Sequence, residues 1–124
     1  MGPGPWFEFL ALQKREYWER AGRLQRVVGI KPEYFHRADA LRVRDDVMQR
    51  LAPHFSAANE SFNYFGPTEF EGRQLTNLLA ELETELAGGI GVSNKGEVVD
   101  AMRAVCDLAG AALADGKVLL VLGI

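Results

Sequence analysis

Few residues in this chain have types and spacing that could perform chemistry, and its two histidines are the first candidates. Glu33, His36 and Asp39 recur at every third position, which would place three potential metal ligands on roughly one side of a helix. A metal site needs ligands that converge from more than one element, and no second histidine lies close in sequence. The pattern therefore favours a surface histidine among charges, and we predict neither a metal site nor a cofactor.

Cys106 is the only cysteine, which rules out an internal disulfide and a cysteine-based metal site. A nucleophilic cysteine requires exposure and a nearby base or cation that lowers its pKa. The neighbours Val105 and Leu108 are apolar instead, so we interpret Cys106 as a small packing residue. The lack of a disulfide also favours the cytoplasm as the compartment.

The glycine-rich segment GGIGVSNKG, residues 88–96, invites comparison with a phosphate-binding loop, in which backbone N–H groups at a helix N-terminus hold an anion. Its spacing matches neither the P-loop nor the dinucleotide-binding motif, and the element before it is predicted to be a helix rather than a strand. Two helix ends joined by a short linker explain the glycines better, so we predict no phosphate site.

The carboxylates and arginines also lack catalytic or nucleic-acid signatures. General acid–base catalysis needs two carboxylates in contrasting environments, whereas Glu81 and Glu85 would share one solvated helix face. The arginines of the first predicted helix are interleaved with glutamates, and the sequence pI is about 5.4, which disfavours nucleic acid as a partner. We therefore predict that the protein is not an enzyme.

The clearest element is a helix predicted between residues 68 and 88. Gly66-Pro67 breaks the chain, and Thr68 followed by Glu71 has the pattern of a capping box at a helix N-terminus. Gly88-Gly89 supplies the stop. Between these ends, apolar side chains recur at helical spacing, namely Phe70, Leu75, Leu78, Leu79, Leu82 and Leu86.

Three further helices and one apolar run complete the pattern. We predict a helix for Trp6–Val28, although WFEFLAL also suits a short strand, and another from residue 39 or 40 to 51, where Pro53 would stop it. Lys95–Ala114 is apolar almost all round, which is typical of a helix buried in a fold or covered by another chain, and its small residues would let a neighbouring backbone approach closely. The last run, VLLVLGI, would be a buried strand pairing with WFEFLAL or SFNYF, or else a final apolar plug.

These elements predict a mainly α fold, a compact bundle of about four helices. This bundle is compatible with a small β element at the C-terminus. The alternative is an α+β fold with a two- or three-stranded sheet. We predict one domain, residues 6–124, after a flexible leader, residues 1–5. The longest apolar run, Val118–Leu122, is too short to cross a membrane.

Function is predicted from the distribution of charge. Residues 60–100 contain two Lys/Arg and eight Asp/Glu, a net charge of −6. Residues 1–59 contain ten Lys/Arg and seven Asp/Glu, a net charge of +3. An acidic helix face beside aromatic side chains suits a basic protein partner. We predict a cytoplasmic protein-binding module, such as an inhibitor, an immunity-type protein or an adaptor, with the partner-binding residues Tyr64, Phe65, Glu69, Glu81 and Glu85. The alternatives are a structural homodimer or assembly subunit, and an enzyme whose site is not visible in the sequence.

Overall fold

The computed structural model describes residues 6–13, 16–24, 26–35, 37–88 and 96–123. The predicted leader, residues 1–5, and residues 89–95 of the glycine-rich segment therefore lie outside the described residues. In chain order the elements are β1 (Trp6–Leu12), β2 (Trp18–Ala21), β3 (Arg26–Ile30), a 3₁₀ turn (Pro32–Tyr34), β4 (Leu41–Arg44), α1 (Asp45–Ala58), β5 (Pro67–Phe70), α2 (Arg73–Ala87), α3 (Gly96–Ala114) and β6 (Val118–Leu122).

Four strands form one antiparallel sheet in the order β4-β1-β6-β5, and β2 pairs with β3 in a separate hairpin. The central pair, β1 and β6, runs in register from Glu8 opposite Leu122 to Leu12 opposite Val118. Every residue of β6 is buried, because both faces of the sheet are covered. This burial explains why VLLVL is a continuous apolar run instead of an alternating one.

The two faces of the sheet carry two separate cores. Alternate side chains of β1 point to opposite faces, so Phe7 and Phe9 join the core under the helices. Leu10 and Leu12 join a smaller core on the other face, where Tyr17 at the base of the β2–β3 hairpin covers them. α3 lies against β1 and β6, and α2 packs against both α1 and α3.

The prediction of a mainly α bundle of four helices is wrong, and so is the all-α class that it implies. The alternative α+β class is the observed one, although the main sheet has four strands instead of two or three. The error begins at Trp6–Val28, which forms β1, β2 and most of β3 instead of a helix. WFEFLAL is apolar on both faces of its strand, so it lacks the clean alternation of a half-buried strand and mimics helical spacing.

A short strand also precedes α1, so the start predicted for this helix is wrong. Residues 41–44 form β4, and α1 begins only at Asp45. Pro53 does not stop the helix, which continues to Ala58. The buried side chains of Leu51 and Phe55 flank the proline and hold the helix against the core, which offsets the missing backbone hydrogen bond.

Thr68 is not a helix cap, so the capping-box prediction is wrong. Thr68 lies in β5, where its Oγ1 accepts a hydrogen bond from the N–H of Asn63 at 3.0 Å. α2 begins at Arg73, after Gly72, whose φ of +52° lies in the left-handed region that favours glycine. The helix itself is confirmed from Arg73 onward, and its leucines are the side chains that it buries.

α3 agrees with the prediction from sequence, and β6 agrees with one of the two alternatives left open for VLLVLGI. α3 spans Gly96–Ala114, and Lys95 lies outside the described residues. VLLVL forms β6 and pairs with WFEFLAL, which is one of the two predicted partners. The sheet and α2 both contact α3, which explains its extensive apolar surface. No helix in the described ranges is long and apolar enough to cross a membrane.

Candidate functional site

A groove runs between strand β4 and helix α3, and we call it the edge groove. One part has a volume of about 390 Å³ and the adjoining part about 450 Å³, and both are lined by Leu41 and Ala104. The apolar lining of the first part also includes Val43, Val47 and Ala101. These volumes fall within the range of about 300–1,000 Å³ that is usual for ligand sites.

β4 is an edge strand of the sheet, so it adds backbone hydrogen-bonding groups to the apolar groove. Among the described residues, β4 pairs only with β1. Alternate residues of an antiparallel strand direct their N–H and C=O groups to opposite sides, so half of β4 offers these groups away from β1. Such an open edge is a template for a further strand.

The opposite edge of the sheet, β5, is partly closed. Its first residue, Pro67, has no N–H to donate. The side chain of Asn59 donates a hydrogen bond to the backbone oxygen of Glu69 at 2.9 Å, which satisfies a carbonyl of this strand. The two edges therefore differ, and β4 is the more open of the two.

α3 forms the second wall of the groove with three alanines and one leucine. Ala101, Ala104, Leu108 and Ala111 lie on one face of the helix, at the spacing of successive turns. Larger residues there would fill the space between α3 and β4. The small residues of α3 were the only signal of this site in the sequence, because nothing in the sequence identified β4 as their neighbour.

The basic side chains on the β4 rim already have acidic partners. The Nε of Arg42 lies 3.2 Å from Oε2 of Glu8, a carboxylate that is buried beneath it. Arg44 forms an ion pair with Asp46 at 3.3 Å and another with Glu97 on α3. The ion pair between Arg44 and Glu97 joins the two walls at one end of the groove.

The acidic side chains on the α3 rim differ from these arginines. Asp100 lines the first part of the groove and Asp107 lines the second. Within the described part of the chain, neither carboxylate forms an ion pair or a hydrogen bond through its side chain. On the α3 rim, Glu97 is therefore paired, whereas Asp100 and Asp107 have no ionic partner among the described residues.

Two of the five predicted partner-binding residues, Tyr64 and Phe65, lie together in the loop before β5. Their ring centroids are 5.3 Å apart, and Phe65 is 73% exposed. Tyr64 packs edge-on against Phe7 and donates a hydrogen bond to the carboxylate of Asp45. Burial and this hydrogen bond raise the pKa of Tyr64 to about 12. Tyr64 is thus held in the fold, and Phe65 is the exposed aromatic.

The three predicted glutamates do not lie on one surface. Glu81 and Glu85 are one turn apart on α2, and Oε1 of Glu81 lies 3.0 Å from Nδ1 of His54. The side chain of Glu69 points to the opposite face of the sheet, where it contacts the β2–β3 hairpin. The structure therefore separates Glu69 from the other two, and partner binding by the five residues stays a prediction.

Glu69 anchors the β2–β3 hairpin to the sheet. Its Oε2 accepts a hydrogen bond from the hydroxyl of Tyr17 and another from Nε1 of Trp18 at 3.1 Å. Burial, together with the neighbouring carboxylate, raises the pKa of Tyr17 far above its usual value. The hydroxyl therefore stays protonated and donates at neutral pH, which is a structural role.

We expect Tyr17→Phe to lower the free energy of unfolding by about 1.5–3 kcal/mol near pH 8, because it removes a hydrogen bond to a carboxylate. The pKa of Tyr17 is raised in the folded state, so its stabilisation is complete below pH 10 and is lost as the pH rises further. The difference between wild type and variant should therefore shrink above pH 10 in urea unfolding. Equal stabilities at pH 8 and parallel pH profiles would contradict the hydrogen bond between Tyr17 and Glu69.

A second concavity of about 340 Å³ lies beside β5, between Trp18, Ser61 and Gln74. Its polar groups already bond within the protein. The side chain of Asn59 accepts a hydrogen bond from the N–H of Ser61 and donates one to the backbone oxygen of Glu69 in β5. Gln74 accepts a hydrogen bond from the N–H of Glu71 at 3.2 Å. These contacts hold the loop and the start of α2 in place, so this concavity is a weaker candidate than the edge groove.

The histidine and cysteine candidates stay separate from one another. His54 contacts Glu81, and His36 lies outside the described residues. Burial and the carboxylates of Glu83 and Asp107 raise the pKa of Cys106 to about 11, which disfavours the thiolate. No group of three or more potential ligands within the described ranges is arranged to hold a metal ion.

Comparison of the chain with known protein families, with curated proteins and with solved structures finds no match in any of the three.

Proposed function

We propose that this protein is a small protein-binding module that takes up an extended segment of its partner along β4. The observation that carries the proposal is the juxtaposition of an open strand edge and an apolar groove. In binding by strand addition, hydrogen bonds from the strand edge provide affinity, and adjacent pockets for alternate side chains provide specificity. The edge groove contains both parts.

The charges on β4 favour a foreign segment over a second copy of this chain. In a two-fold pairing of β4 with itself centred on Val43, Arg42 of one copy would lie opposite Arg44 of the other. Like charges directly opposite each other destabilise a strand pair. A segment without basic residues directly opposite Arg42 and Arg44 avoids this repulsion and still uses the same backbone groups.

Inhibitors, immunity-type proteins and adaptors all act by binding another protein without catalysing a reaction. We propose that this protein belongs to this group of binding proteins. The only cysteine, Cys106, forms no disulfide, which fits our proposal that it acts in the cytoplasm. The proposal requires no cofactor, because backbone groups and apolar surface supply the interaction.

Replacing Ala104 by tryptophan tests the proposal, because a large side chain at this position fills the edge groove. The probe is a phage-displayed library of random peptides, selected on the wild-type protein and then made as labelled synthetic peptides. We expect Ala104→Trp to weaken their binding at least about tenfold in fluorescence anisotropy. Peptide binding to the wild type should also slow amide hydrogen exchange in β4.

The matched control is Ala80→Trp, the same substitution at an exposed position of α2. It should bind the selected peptides like the wild type. The proposal is contradicted if Ala80→Trp and Ala104→Trp bind equally well, or if peptide binding leaves exchange in β4 unchanged. The exchange measurement uses the wild type, so it decides the question even if Ala104→Trp folds poorly.

A further inference from the structure

We infer, resting on the function proposed above, that the segment bound in the edge groove is basic and directs Lys or Arg side chains to Asp100 and Asp107. These carboxylates lie on the α3 rim, beside the apolar lining of the groove.

The groove retains negative charge after its internal ion pairs are taken into account. Arg44 is paired with Glu97, and Arg42 with Glu8, so the basic side chains of β4 are engaged. Asp39, at the far end, is paired with Arg37 at 2.7 Å. Asp100 and Asp107 are the lining carboxylates that lack such a partner within the described residues.

Arg103 is the nearest basic residue on the same helix, but it does not compensate these carboxylates inside the groove. It lies between Asp100 and Asp107 in sequence and is exposed to solvent. Its side chain is not part of the groove lining and forms no ion pair with either carboxylate. Among the described residues no cation neutralises these two carboxylates, so a basic bound segment complements them.

The spacing of the two carboxylates suits one extended segment. Asp100 and Asp107 are two helical turns apart, which corresponds to roughly 10 Å along the axis of α3. Residues on the same face of an extended chain are two or four positions apart, at about 7 or about 13 Å, and long Lys or Arg side chains can make up the difference, so a segment paired with β4 can reach both carboxylates. If the two basic residues are four positions apart, the residue midway between them points to the same face, toward Leu41 and Val43.

The surface between the carboxylates also favours long basic side chains. Ala101 and Ala104 form an apolar strip beside Asp100. Lys and Arg can lay their methylene stems on such a strip while the charged end reaches a carboxylate. Ion pairs next to apolar surface are screened less by solvent than exposed ones, so they contribute more to affinity.

The test compares the wild type with the double variant Asp100→Lys/Asp107→Lys, using the same random peptide library. Peptides selected on the wild type should be enriched in Lys and Arg, and peptides selected on the variant in Asp and Glu. Wild-type peptides should bind the variant at least about tenfold more weakly at low salt, and the difference should shrink as salt is added. The control is Glu83→Lys/Asp115→Lys, which changes the net charge equally at exposed positions outside the groove.

Each outcome separates the inference from the proposed function. If Ala104→Trp abolishes binding but the Asp100→Lys/Asp107→Lys variant binds normally, the inference is overturned and the proposed function stands. If neither variant changes binding, the proposed function fails as well. If light scattering finds a dimer that Ala104→Trp dissociates, a second copy occupies the groove and the basic segment is excluded.

Discussion

Val105→Asp should abolish the cooperatively folded state of this protein. Val105 lies on α3 with none of its surface exposed, in the core that α3 shares with the sheet. A carboxylate placed there has no ionic partner and loses its hydration, at a cost of several kcal/mol. Small domains are stable by only about 5–15 kcal/mol, so this cost is a large share of the total. Circular dichroism and urea unfolding measure the result.

Arg103→Asp is the control for this prediction, because it introduces the same side chain on the exposed face of α3. Aspartate has the same low helix propensity at both positions, so the difference between the variants reports burial. A Val105→Asp protein that unfolds cooperatively, with a urea midpoint close to that of Arg103→Asp, would contradict the position of α3 in the core.

Phe55→Ala should lower the free energy of unfolding by about 3–5 kcal/mol, the usual cost of removing a buried phenylalanine ring. Phe55 is fully buried on α1, and its ring lies 5.7 Å from that of Phe9 on β1 and 5.5 Å from that of Phe70 on β5. It also contacts Phe62 in the loop after α1, at 5.6 Å. The ring thus joins a helix, two strands and a loop, and chemical denaturation measures its contribution.

The matched control is Phe65→Ala, the same substitution at a residue that is 73% exposed. Substitutions at exposed positions usually change stability by less than about 0.5 kcal/mol. Similar losses for the two variants would show that the aromatic cluster around Phe55 is not packed as described.

The edge groove could not be predicted from the sequence. Its lining comes from Trp6 and from residues 39–47 and 97–111, which are far apart in the chain. β4 has four residues, too few for a periodic pattern to distinguish a strand from the first turn of α1. That β4 is an edge strand follows from the strand order, which no local pattern encodes.

The position of Glu69 shows the same dependence on tertiary structure. A helix from Thr68 to Leu86 would place Glu69 on the same element as Glu81 and Glu85. In the structure Glu69 lies on β5, where side chains alternate between the faces of the sheet, so its carboxylate points to Tyr17. Because this segment is a strand and not a helix, the side chain of Glu69 points to the face of the sheet opposite the helices.

The sequence by itself determined α3 and the leucine stripe of α2, and it offered WFEFLAL as one of two possible partners for VLLVL. In these segments the apolar pattern is long, or so continuous that burial on both faces is the stable outcome. Only the tertiary structure decided that WFEFLAL is a central strand, because a segment covered on both faces has no polar side from which a period can be read. The open edge of β4 arises for a related reason: it depends on which strands lie beside it, a long-range arrangement that its four residues do not encode.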